Sequence, residues 1–138
     1  MSILSFPLDR GAWVVRWEPL GEAAPHVVKV PGGETVEGGL AELGAGGFVA
    51  FDGCLFDRAE LGASAAGADA SLVAAAYQRW GSGFLEKLRG AFTLAIWDQE
   101  RRRLTLGRDA MGLHPCFYWW DGQVFLASPV LDALLGQP

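Results

Sequence analysis

Cysteine, histidine, tyrosine and methionine each occur only twice in this chain of 138 residues. The two histidines, His26 and His114, stand far apart, with no second histidine or carboxylate at ligand spacing, so the pattern indicates no metal site and no cofactor. Two cysteines, Cys54 and Cys116, are too few for a disulfide scaffold. The chain start lacks a basic stretch followed by an apolar core, so both read as free, buried thiols of a cytoplasmic protein. No apolar run is long enough to cross a bilayer. Positive charge is scarce as well: eleven Lys and Arg face sixteen Asp and Glu, a net −5. That balance argues against nucleic acid or an anionic membrane as partner, since both want a basic face. The run Arg101-Arg102-Arg103 is too short to reverse it. No internal repeat is visible. Abundant Ala, Gly, Arg and Trp fit a GC-rich bacterial source.

The most strand-like stretch is residues 89–98, RGAFTLAIWD, almost without polarity from Phe92 to Trp97. Bounded by Gly90 and by Asp98-Gln99-Glu100, it reads as a buried strand. The charged turn 98–103 leads into LTLGRDA (104–110), then FYWW (117–120), the turn Asp121-Gly122 and QVFLAS (123–128), which together predict an antiparallel meander. Earlier strands are expected at 12–17, 26–30 and 47–53, the last ending in a tight turn at Asp52-Gly53. The stretches 31–39 and 62–68 read as loops, and 55–61 as at most a turn or two of helix.

Asp69 opens the clearest helix as an N-terminal cap, with Leu72, Val73, Ala76, Tyr77 and Trp80 on one face and Gly81 as its stop. A shorter helix is expected over 83–90. Another is expected over 129–136, with Pro129 in its first turn. Strands, then helices, then strands predict a single α+β layered domain over residues 1–138. Arg108-Asp109 with Gly112 reads as a device that fixes a loop through Arg–carboxylate pairing. His114 reads as a surface or supporting residue. Trp119 and Trp120 alternate across a strand, so one should be core and the other exposed or covered by a partner.

Several residues in combination carry a resemblance. They are the helix end Arg79-Trp80-Gly81, Leu88-Arg89-Gly90 running into Phe92, Trp97-Asp98, and Arg108-Asp109 with Gly112, Pro115, Phe117 and Tyr118. Over residues 47–135 the chain resembles the class II glutamine amidotransferase (Ntn-type glutaminase) domain of the asparagine synthetase family; the first 46 residues match poorly. β-Lactam synthetases and lasso-peptide cyclases are similar relatives. The resemblance implies an αββα sandwich of antiparallel sheets, here incomplete at its C-terminal edge.

It also implies three catalytic requirements. The first is an N-terminal cysteine whose own α-amino group acts as base. Here Ser2 follows Met1, and neither Cys54 nor Cys116 can replace the missing cysteine. The second is an oxyanion hole from an Asn-Gly pair; the matching string is DGCLFD (52–57), which sets Asp52 and Gly53 there. The third is a grip on the glutamine's α-amino and α-carboxylate groups. Asp69 matches the family's amino-binding Asp, and Arg16 is a weak candidate for the carboxylate.

The expected function is therefore a non-catalytic scaffold or docking domain of an ATP-dependent amide ligase, split or truncated. Its partner would be a synthetase-like ATP-binding protein or domain, or a second copy covering an open sheet edge. No SGGxDS-type pyrophosphate loop occurs in the chain. The alternatives are an amidohydrolase with Ser2 as nucleophile and an amino-acid-binding module built on Asp69.

Overall fold

A computed structural model describes residues 13–29, 39–44, 46–56, 61 and 68–135. Strand β1 (Trp13–Trp17) pairs with β2 (His26–Lys29), and β3 (Leu40–Leu43) with β4 (Gly47–Phe56). Helix α1 (Asp69–Trp80) and a 3-10 segment (Gly81–Lys87) lead into β5 (Arg89–Asp98). Then follow β6 (Arg103–Arg108), β7 (Phe117–Trp120), β8 (Phe125–Ser128) and α2 (Leu131–Leu135). The strands make two four-stranded sheets, ordered β2-β1-β8-β7 and β3-β4-β5-β6. Every pairing is antiparallel.

Period-two alternation divides the apolar side chains among three layers. From β5, Phe92, Leu94 and Ile96 join Val49 and Phe51 of β4 under the α1 face of Leu72, Val73, Ala76 and Tyr77. The opposite faces of the same strands put Ala50 and Ala95 against Trp13 and Val15 of β1, between the sheets. Beyond the second sheet, Val14 and Leu126 pack on Leu134 of α2. Helix, sheet, sheet, helix is thus the layer order, though α1 is the one long helix among the described residues and the α+β balance is tilted toward strand.

The meander expected after residue 98 breaks at Arg108. β5 and β6 form the predicted hairpin, but β7 and β8 join β1 in the other sheet. The 109–116 connection is a crossover between sheets rather than a hairpin loop. Asp52-Gly53 is likewise no turn: it lies inside β4, opposite Thr93 and Phe92, and the strand continues to Phe56. Gly53 takes φ +126°, and a Cβ there would stand 2.1 Å from the carbonyl oxygen of Ala91. A close approach of two backbones, not a reversal of direction, requires the glycine.

Strand β3 carries no apolar alternation in its sequence LAEL and was not expected. Asp69 is the first residue inside α1, while Ala68 holds the cap position. Its charge still favours the positive end of the helix. Gly81 ends α1 at φ +59° with its N–H donating to the Tyr77 carbonyl, as expected. Pro129 precedes α2 rather than lying in it. Trp119 and Trp120 are both exposed, at 54% and 48%, on a strand that has a neighbour on one side only among the described residues. Of the expected loops 31–39 and 62–68, residues 31–38 and 62–67 lie outside the described residues, as do 57–60 of the expected helical turn 55–61, whose Leu55 and Phe56 instead continue β4.

Candidate functional site

Asp52 sits in the middle of β4, on the face that looks between the sheets, opposite the fully buried Thr93 of β5. Only 8% of Asp52 is exposed. A carboxylate at such a place needs donors, because burying an unpaired charge costs several kcal/mol. The donor comes from the crossover: Nε2 of His114 lies 2.6 Å from Asp52 Oδ2. A carboxylate only accepts, so Nε2 carries the proton of this bond. The other oxygen, Oδ1, is buried without a hydrogen-bond partner among the described residues.

His114 reaches Asp52 because Asp109 folds the crossover around itself. The Asp109 carboxylate accepts from the backbone N–H groups of Phe92 (3.1 Å), Leu113 (2.8 Å) and His114 (3.2 Å). Its own N–H donates back to the Phe92 carbonyl at 3.1 Å. Burial pushes the Asp109 carboxyl up, but the N–H groups of Leu113, Phe92 and His114 outweigh it and hold the group below its usual value. Arg108 closes the loop from outside, donating to the carbonyls of Gly112 at 3.1 Å and His114 at 2.8 Å. The Thr93 hydroxyl donates to the Pro115 carbonyl one residue further on. The predicted loop-fixing role of Arg108 and Asp109 is therefore real, but each binds backbone and they do not pair with each other.

The remaining candidates are scattered. Gly53 adjoins Asp52 in β4. Asp69 belongs to another element, the first turn of α1. Arg16 of β1 alternates with Val15 and so falls on the α2 side of its sheet, away from Asp52; it pairs with Glu18 at 3.0 Å. It is not placed to grip a ligand at Asp52. Ser2 lies outside the described residues.

Both cysteines are free and half-buried, less covered than expected. Burial pushes the Cys116 thiol up, and the Arg108 charge opposes it. Among the described residues no group of three His, Cys, Asp or Glu could hold a metal ion. No helix among them is long and apolar enough to cross a membrane. The sequence reads His114 as a surface or supporting residue, and what it does not give is the partner, Asp52. Sixty-two positions separate the two residues, and only the crossover brings them together.

A family model described as "Glutamine amidotransferase domain" matches residues 44–136, about two thirds of the chain. Asparagine synthetase [glutamine-hydrolyzing] 3 of Bacillus subtilis is 33% identical over 70 residues, 51% of this chain and 11% of that protein. Asparagine synthetase B [glutamine-hydrolyzing] of Escherichia coli is 38% identical over 64 residues, 45% of this chain and 12% of that protein. The chain thus spans about a tenth of the length of these relatives. Among solved structures, the glutamine phosphoribosylpyrophosphate amidotransferase of B. subtilis superposes with a TM-score of 0.57 at 17% identity, covering 91% of this chain and 37% of that one. That likeness carries the fold alone, the layered Ntn-type sandwich. Layer order, crossover and matched sequence agree: the chain belongs to the glutamine amidotransferase domain family, in the class II form found in asparagine synthetases.

Proposed function

We propose that this chain is a non-catalytic glutaminase-like domain that docks with the synthetase unit of an asparagine-synthetase-like, ATP-dependent amide ligase. The observation that carries the reading is the bond between His114 and Asp52. Acyl transfer from glutamine develops negative charge on an oxygen, which preorganised donors must meet. Losing a single such donor costs roughly 100- to 1000-fold in rate. Asp52 stands where the resemblance sets an amide donor, and it presents acceptors only. It is also turned to His114, so no rotation frees a donor toward a substrate.

The synthetase unit is the occupant we assign to the exposed edge of β7. Tyr118, Trp119 and Trp120 there are each about half exposed or more, on a strand with one hydrogen-bonding side open among the described residues. Aromatic side chains are favoured at interface centres, and an edge without charge or proline invites cover. The relatives' printed activity, glutamine-hydrolysing asparagine synthesis, suggests the class of ligase.

The test is to incubate the chain with glutamine, measure glutamate released, and record the intact mass after exposure to an electrophilic glutamine analogue. Neither glutamate nor adduct is expected. Turnover, or an adduct on Ser2, would overturn the reading in favour of an N-terminal-serine amidohydrolase. In that case the same Asp52 would orient the His114 ring as an acid–base group.

A further inference from the structure

A concave feature lies at the C-terminal end of α1. The C-terminal end of α1, Leu43 and Gly44 at the end of β3, and the β5–β6 hairpin line a cleft of about 580 Å³. That is within the range of roughly 300–1,000 Å³ typical of small-molecule sites. It is separate from Asp52. Asp98 in its floor is five residues from Thr93 along β5, roughly 16 Å at strand spacing. It also faces the helix layer, whereas Thr93 faces the opposite sheet.

The floor is a closed polar unit. The Tyr77 hydroxyl donates to Asp98 Oδ2 at 2.7 Å, and Arg101 donates to the same oxygen at 2.8 Å and, through its N–H, to Oδ1 at 3.1 Å. Asp98 and Arg101 therefore neutralise each other, and the Glu100 charge also acts on Arg101. Arg103 is different. It lines the cleft, donates one N–H to the uncharged Tyr77 hydroxyl at 3.3 Å, and has no carboxylate partner among the described residues. Guanidinium forks left open in this way suit the paired oxygens of a carboxylate or phosphate.

The surroundings favour an anion. Arg79 and Lys87 lie 4.8 and 5.8 Å from the Trp80 ring centroid, whereas Arg102 turns away, over the Trp97 ring and onto the Glu22 carbonyl. Four of the eleven Lys and Arg, namely Arg79, Lys87, Arg101 and Arg103, thus lie on or beside the cleft, against Asp98 and Glu100 in its lining. Trp80, half-buried, supplies an apolar wall beside Arg103, backed by the buried Tyr77 and Leu43.

We propose that this cleft binds a small organic anion, with Arg103 pairing its carboxylate or phosphate group and the Trp80 ring covering its apolar body. The site is independent of glutamine chemistry and does not rest on the docking reading.

The experiment is isothermal titration calorimetry of the full chain with phenyl phosphate, benzoate and inorganic phosphate at low ionic strength. Saturable binding of phenyl phosphate or benzoate is expected, tighter than that of inorganic phosphate; the tighter of the two identifies the oxyanion. Arg103→Gln should weaken it at least tenfold. Arg103→Lys, which keeps the charge and loses the fork, should also weaken it, and Arg102→Gln should change it less than threefold. The proposal fails if neither organic anion saturates, or if inorganic phosphate binds as tightly as both. Equal loss in Arg102→Gln and Arg103→Gln would also overturn it, since diffuse charge would then explain the binding.

Discussion

His114 holds Asp52 across the space between a crossover and the middle of a strand, at 2.6 Å, in a site where Asp52 has no other partner among the described residues. Removing the imidazole leaves a buried carboxylate with neither oxygen bonded. His114→Ala is expected to cost about 1–3 kcal/mol, the penalty for an orphaned buried acceptor. Asp52→Asn keeps an acceptor for Nε2 and should cost less, about 1 kcal/mol. The double variant should fall short of the sum, because the second change removes a group already unpaired. Urea denaturation of the four proteins measures this; strict additivity would mean the bond contributes nothing in solution.

The Tyr77 hydroxyl is the main reason the Asp98 carboxyl is lowered from 3.8 to about 2; burial opposes it, and Arg101 adds to the lowering. A folded value below the unfolded one stabilises the protein above roughly pH 4, and the contribution fades as pH falls from there toward 2. Tyr77→Phe brings the folded value back toward the ordinary one. Its acid unfolding should begin at higher pH than in the parent, and its neutral-pH stability should drop by about 1–2 kcal/mol. Circular dichroism between pH 7 and pH 2 follows both. An unchanged acid midpoint would contradict the assignment.

Gly53 has no room for a side chain. Gly53→Ala combines a left-handed φ of +126° with a Cβ 2.1 Å from the Ala91 carbonyl oxygen. A loss on the order of 3–4 kcal/mol is expected, enough to unfold a marginal domain. Soluble yield and the thermal midpoint report it. A near-parent melting temperature would show that β4 and β5 can separate there without cost.

Trp119→Lys places a charge on the open edge of β7, where the parent tryptophan is 54% exposed. Folding stability should change by less than about 1 kcal/mol, because little burial is lost. Association with the synthetase unit, followed by analytical ultracentrifugation of the mixture, should weaken at least tenfold. Undiminished association would move the docking surface elsewhere.

Much of this was legible in the chain before the structure. Phe92 to Trp97 could only be a buried strand. The 3.6-residue spacing of Leu72, Val73, Ala76 and Tyr77 defined the inner face of α1, and Gly81 marked its end. Asp121 turned the β7–β8 corner as expected, its carboxylate accepting from the Gln123 and Val124 N–H groups at 2.8 Å. What could not be read was pairing across distance. Asp52-Gly53 has the composition of a turn, and only the β5 register shows that its glycine serves a close approach. The two tryptophans alternate as a strand should, but exposure depends on whether a layer covers each face of the sheet, which alternation does not encode. His114 and Asp52 meet because Asp109 binds the N–H of Phe92, a contact with no local signature.

The two sheets differ in where their strands come from. One is drawn from an unbroken stretch, Leu40 to Arg108, together with the helix that covers it. In the other, β1 must lie between β2 and β8, whose partner residues Val15 and Ala127 are more than a hundred positions apart. During synthesis the first sheet can close on its own, while β1 waits with one flank open until β8 has left the ribosome. The early strand hairpin, with Trp13, Val14 and Val15 still to be covered, is then the segment most in need of a chaperone.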